Sequence, residues 1–205
     1  MNDDVLKQLR RDEKLRPVLE NYEMTRLKRE ENIALYLCLS IISQQLSTRV
    51  AKLICDRFLE LIGSYEPTCE RILAIETTSL RSIGLSQSKC NYIHNVCIFF
   101  GENQLDDNSL HAMSDEAITD LLIQIKGVGK WTIQMLLMFA MAREDVFSPD
   151  DLGIQQAMRD LYGLQETNPK QLKQRMTEVS LAWKPYRTYA CLSLWSWKDR
   201  SKKGA

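Results

Sequence analysis

Eight glycines and five prolines are the only backbone punctuation in 205 residues, and apolar side chains recur at spacings of three and four rather than in alternation. A chain so poor in breakers, with the period of one helix face, is constrained to an all-α fold. Hydrophobic residues at 44% and charged residues at 26% place it among chains that bury a core, enough for one domain or two closely packed lobes. Lys and Arg number 27 and Asp and Glu 27, so any nucleic-acid surface has to be a local patch rather than a whole-molecule field.

The apolar pattern predicts two helices over 33–46 and 50–61 that meet near Ser47 and Thr48, the second ending at Gly63. Short helices are expected over 78–85, closed by Gly84, over 88–100, closed by Gly101, and over 115–125, capped by Ser114. Residues 130–142 are apolar on most sides through Met135, Leu136, Leu137, Phe139 and Met141, the pattern of a central buried helix. Ser148-Pro149-Asp150-Asp151 supplies a cap, a first-turn proline and two acids, which predicts a helix start and a run to Tyr162 that Gly163 stops. Two further helices are expected over 169–181 and 186–197, split at Lys184-Pro185.

The longest uncharged run, Asn32 to Thr48, is too polar for a bilayer span, and the N-terminus carries mixed charge without an apolar core. The expectation is an intracellular protein with no membrane segment. Cys38, Cys55, Cys69, Cys90, Cys97 and Cys191 lie at wide, irregular spacings without a CxxC, which predicts free thiols, no zinc and no iron–sulfur cluster.

Two features carry chemistry. In Ile125-Lys126-Gly127-Val128-Gly129-Lys130-Trp131-Thr132, two glycines stand between an amphipathic helix and the buried one. Glycines let the backbone approach a ligand, and the N–H groups opening the next helix form an anion nest that would hold a phosphate without reading sequence. Lys126 and Lys130 add charge on either side, although the same pattern also serves a plain turn between core helices. Beyond the buried helix stands Asp151, a carboxylate that a helix start keeps ionised and that can stabilise a developing cation or orient water without a metal. As a bare SPDD it is equally a cap.

These segments, with Ile42-Ser43-Gln44-Gln45-Leu46 before them and Trp183-Lys184-Pro185-Tyr186-Arg187-Thr188-Tyr189-Ala190 after, resemble in order and spacing the helix-hairpin-helix DNA glycosylase superfamily. The likeness is to its 3-methyladenine DNA glycosylase II branch, in the compact form without an N-terminal β lobe, and runs from Ile33 to Trp197. It implies two helical lobes with a cleft between them. Residues 1–200 would form one glycosylase unit, with lobe one near 33–130, lobe two built from the N-terminal helix and 131–200, and a frayed tail at 201–205.

The resemblance also implies a monomer that acts on double-stranded DNA containing damaged bases. Such an enzyme flips alkylated purines of the 3-methyladenine and 7-methylguanine type from the duplex and hydrolyses the N-glycosidic bond. Asp151 matches the family's catalytic aspartate, with Asp150 mainly a cap; Trp131 and Trp195 match positions lining the base pocket. Gln45 matches the plug that fills the vacated duplex, with Leu46 as a wedge beside it. Lys126, Gly127, Val128, Gly129, Lys130 and Thr132 form the DNA-binding hairpin, whose backbone carbonyls at Ile125 and Val128 could carry a structural Na+ or K+.

In the lyase-competent branch a lysine nucleophile stands where this chain has Trp131, so base removal without strand cleavage is implied. Met135, the third residue assigned to the base pocket, replaces an aromatic residue common in bacterial members and puts the substrate range in doubt; hypoxanthine, uracil, an oxidised purine and a non-catalytic damaged-DNA binder stay open as alternatives. Gly153 is expected to loosen the turn behind Asp151. Lys170, Lys173, Arg175, Lys184, Arg187, Lys198 and Arg200, against Glu178 and Asp199, supply a local basic excess.

Overall fold

The computed structural model describes residues 2–20, 22–63 and 67–203, and among them there are thirteen α-helices and no strand. In chain order these begin with α1 (Asn2–Leu9), α2 (Arg16–Glu20), α3 (Ile33–Ser43), α4 (Thr48–Ile62), α5 (Cys69–Leu73), α6 (Thr77–Ser82) and α7 (Gln87–Glu102). Next come α8 (Asp107–Ala112), α9 (Asp115–Leu122) and α10 (Lys130–Met135), the last prolonged by a π-helical turn (Leu136–Ala140). Then α11 (Leu152–Tyr162), α12 (Pro169–Ser180), a 3-10 turn (Leu181–Trp183) and α13 (Arg187–Lys203) complete the chain. No helix among the described residues is long and apolar enough to cross a membrane.

The elements divide into two compact units, one of Arg29–Leu136 and one of Met1–Lys28 with Leu137–Ala205. In the first, α3 packs chiefly on α7 and α4, and Leu37, Ile41, Ile42, Phe58, Ile93 and Val96 are fully buried. In the second, α13 packs on α11 and α2, with Leu9, Met158, Met176, Trp183 and Leu194 in its core. There the Asp12 carboxylate accepts the Tyr162 hydroxyl at 2.7 Å and the Trp183 indole N–H at 2.8 Å, so two large rings enter the core with their polar atoms satisfied. Burial, then the Asp12 charge, pushes the Tyr162 hydroxyl well above the usual tyrosine range.

Side-chain caps explain most helix starts. Asn32, Ser47, Thr68, Ser86, Asp106, Ser114, Asp151 and Asn168 each accept a backbone N–H from the first turn they precede. Several boundaries differ from the sequence pattern, among them the end of α3 at Ser43 rather than Leu46 and of α6 at Ser82. Gly101 lies inside α7, which runs to Glu102, because a single helical glycine costs only about 1 kcal/mol and need not end a helix. Helix α9 stops at Leu122, where tighter bonds, Ile125 N–H to Leu122 O and Val128 N–H to Ile125 O, replace the α-helical ladder. Helix α11 starts at Leu152, after the proline rather than on it, because the Asp151 carboxylate takes the cap position. At the C-terminus α13 continues to Lys203, and residues 204 and 205 of the expected tail lie outside the described residues.

The central helix expected over 130–142 is not a uniform one. The π-helical turn shifts the facing of the residues behind Met135, so Phe139, expected in the core, is 39% exposed. The turn closes with Ala142 at φ 54° and the Arg143 N–H on the Leu137 carbonyl at 2.9 Å.

Candidate active site

In the unit of Arg29–Leu136, the hairpin joins α9 to α10. Gly127 sits at φ 108°, and a Cβ there would stand 2.3 Å from Tyr92 Cγ, so both backbone angle and space demand glycine. Gly129 opens α10 as its N-cap, has no side chain to accept a first-turn N–H, and leaves open space where a Cβ would be. A bulky anion can therefore approach the first N–H groups of α10, the arrangement that makes an anion site. Lys126 and Lys130 are exposed, while Val128 and Thr132 are buried. The Ile125 carbonyl already accepts the Val128 N–H at 3.0 Å, which leaves one lone pair for the Na+ or K+ that the hairpin could carry.

Trp131, the second residue of α10, is 38% exposed, whereas Met135 is buried, with its carbonyl accepting the Tyr36 hydroxyl at 3.3 Å. Gln45 and Leu46 are exposed in the link between α3 and α4, with Gln45 at φ 59°. Gln44 points the other way: its amide donates to the Gly127 carbonyl at 3.3 Å and to Thr132 Oγ1 at 3.2 Å.

In the unit that ends with α13, Asp151 caps α11. One oxygen, Oδ1, accepts the Ile154 N–H at 2.9 Å and the Trp195 indole N–H at 2.8 Å. Trp195 therefore bonds the acid directly, and its ring stacks on Phe139, centroids 5.9 Å apart with planes at 28°. Phe139 is absent from the sequence-based set of site residues, since only the π-helical register turns it outward; no sequence signal announces that shift. Gly153 has a role other than loosening its helix: a Cβ there would stand 3.1 Å from Asp151 Oδ1 and from Trp195 Nε1, so its absence admits the indole to the carboxylate.

The loop before Asp151 is fixed from α13. Arg187 makes a two-pronged pair with Asp145, Nε to Oδ1 at 2.7 Å and Nη2 to Oδ2 at 2.9 Å, and also reaches the Asp145 carbonyl at 2.8 Å. Thr188 accepts the Val146 N–H at 3.0 Å, gives its hydroxyl to the Arg143 carbonyl at 2.6 Å and its N–H to the Glu144 carbonyl at 3.0 Å. The two sequence segments around Asp145 and Arg187 are thus opposite sides of one junction.

Two further expectations change. Asp150 caps nothing; it pairs with Lys173. The basic excess of 170–200 is largely consumed within the fold, because Lys173, Arg175, Arg187 and Lys198 pair with Asp150, Glu178, Asp145 and Asp160. Lys198 in turn holds the Asp160 carboxyl below the usual range. All six cysteines are free, and no His, Cys, Asp and Glu group among the described residues could hold a metal.

The model of the HhH-GPD superfamily of base excision DNA repair proteins matches residues 38–181, and the chain belongs to that superfamily. A Bacillus subtilis protein provisionally named a DNA-3-methyladenine glycosylase is 33% identical over 79% of this chain, which spans 58% of that relative's length. The crystal structure of a Bacillus halodurans DNA-3-methyladenine glycosidase superposes with a TM-score of 0.80 at 32% identity, covering 96% of this chain and 89% of that one. A Schizosaccharomyces pombe 3-methyladenine DNA glycosylase in complex with abasic DNA superposes with a TM-score of 0.81 at 28% identity, covering 94% and 95%.

Proposed function

We propose that this chain is a monofunctional glycosylase of base excision repair that binds double-stranded DNA, extrudes alkylated purines of the 3-methyladenine and 7-methylguanine type, and hydrolyses their N-glycosidic bond. The observation that carries the reading is Asp151: a half-buried carboxylate at a helix start, bonded through one oxygen to a backbone N–H and an indole N–H. Those two donors fix the carboxylate at the helix start, and a carboxylate so held stabilises positive charge building on a deoxyribose as its base departs. Water then adds to C1′ and loses its proton, the base leaves with the electron pair of the broken bond, and an abasic sugar remains. With tryptophan at 131 there is no amine to form a Schiff base, so the strand stays intact.

Purines methylated at ring nitrogens are electron-poor, and aromatic faces attract them through stacking and cation–π contact. Trp131 and the stacked pair of Phe139 and Trp195 are the aromatic groups assigned to that task. A cationic base is a good leaving group, so no general acid is required. The hairpin N–H groups grip a phosphate, Gln45 and Leu46 enter the space that the nucleotide vacates, and a monovalent cation on the hairpin carbonyls would add positive charge near that phosphate.

The test is release of free bases from dimethylsulfate-treated duplex DNA, with products identified by chromatography. Free 3-methyladenine and 7-methylguanine with uncleaved strands is the expected result. Release confined to hypoxanthine, uracil or oxidised purines in matched duplexes refutes the substrate class, and DNA binding without release of any base refutes catalysis.

A further inference from the structure

The exposed Gln45–Leu46 turn is held from beneath by two side chains that neither the hairpin nor the acid accounts for. Helix α3 ends at Ser43, so its final carbonyls have no partners within the helix. Lys89, from the first turn of α7, donates through Nζ to the Ile42 carbonyl at 2.7 Å and the Gln44 carbonyl at 2.8 Å. These are the carbonyls on either side of Ser43, immediately before the residue at φ 59°. Left-handed backbone is disfavoured for any residue with a Cβ, and glutamine keeps it only where surroundings impose it. Burial lowers the pKa of the Lys89 ammonium, as expected of a charge that leaves water for carbonyl partners. From the same turn Gln44 reaches the hairpin, bridging the Gly127 carbonyl and the Thr132 hydroxyl.

We propose that Lys89 and Gln44 are positioning residues that hold Gln45 and Leu46 in their left-handed, solvent-facing turn and join that turn to the hairpin, so that strand grip and duplex insertion act as one rigid element. The role rests on the base-flipping reading above. It divides the labour between adjacent glutamines: Gln45 meets DNA, and Gln44 ties the inserting turn to the glycine loop. Lys89 serves as a built-in C-cap that is charged rather than glycine-based, which leaves the left-handed position open to a side chain long enough to enter a duplex.

The experiment uses the full chain and its Lys89→Met, Lys89→Arg and Gln44→Ala variants, each checked by its melting curve. Two quantities are read: amide exchange of residues 43–48 in the free protein, and flipping of a methylated purine followed by 2-aminopurine fluorescence at the neighbouring base. Loss of two hydrogen bonds should speed exchange and lower flipping and single-turnover release about tenfold in Lys89→Met and Gln44→Ala, with Lys89→Arg restoring most of it. The loss should be larger for a lesion in a matched pair than in a mismatch, since a mismatched base leaves the stack at lower cost. If Lys89→Met does not fold, half-buried Gln44→Ala carries the test. Wild-type exchange and flipping in the variants, or equal losses for matched and mismatched lesions, overturn the proposal. A wild-type chain that releases no base overturns the glycosylase reading and this role with it, whereas normal wild-type release with unaffected variants overturns the positioning role alone.

Discussion

Replacing Asp151 separates two jobs that one oxygen performs. In Asp151→Ala the Ile154 N–H loses its cap, worth about 1 kcal/mol, and the Trp195 indole N–H loses its acceptor. Trp195 is only half-buried, so water meets part of that second cost and about 1 kcal/mol is expected for it as well. The total of about 2 kcal/mol corresponds to a fall in melting temperature of about 4–8 °C for a chain of this size. In Asp151→Asn the amide oxygen keeps both bonds, asparagine caps helices as well as aspartate does, and only the charge at the helix start is lost, about 0.3–1 kcal/mol. Melting should then fall by no more than about 4 °C. Base release should collapse in both variants, about a hundredfold to ten-thousandfold, because both remove the negative charge to which the proposed mechanism assigns stabilisation of the sugar. Calorimetry on the free proteins and single-turnover release from methylated duplex are the two assays. If Asp151→Asn melts as low as Asp151→Ala, the shared acceptor oxygen does not hold the site; if Asp151→Asn releases base at the wild-type rate, the carboxylate charge is not the catalyst.

Gly127→Ala should destabilise by about 2–5 kcal/mol from a forbidden φ and a clash with Tyr92, and in a double-mutant cycle measured by chemical denaturation Tyr92→Ala should make Gly127→Ala less costly. Gly153→Ala should act in opposite senses on two measurements: up to about 1 kcal/mol of helix stabilisation in thermal melting, against several-fold slower base release as the indole is pushed from Asp151. Arg187→Lys keeps the charge but not the fork that grips Asp145, and a fall of about 1–3 kcal/mol is expected in urea unfolding together with weaker base release, since the loop carrying Asp151 is anchored there. Unchanged urea midpoints would show that a single-pronged ammonium suffices.

The helical character, most helix starts and the acid at the head of α11 were legible because they follow from local rules: periodicity, capping side chains and glycine placement. The hairpin was legible for the same reason, since Gly127 answers to a backbone angle that few other residues adopt. What stayed hidden depends on facing and on distant partners. Phe139 reads as a core residue in any uniform helix, and only the π-helical turn after Met135 rotates it onto Trp195. Asp150 reads as a cap because Lys173 lies 23 positions away in sequence, and the basic excess of the C-terminal third reads as a surface because its acidic partners come from other segments. Lys89 and Gln44 carry no motif at all; their meaning lies in which carbonyls they reach.

One of the two units is assembled from both ends of the chain around the segment Arg29–Leu136. Gln8 donates to the carbonyls of Ala182 and Lys184, across separations of 174 and 176 residues. During synthesis the inserted segment emerges whole and can fold on the ribosome, while the leading helices wait for α13 before they find their partners. Asp151, to which the proposed chemistry is assigned, thus belongs to the unit that closes around an already complete insert, and the glycine loop of that insert can be in place before it.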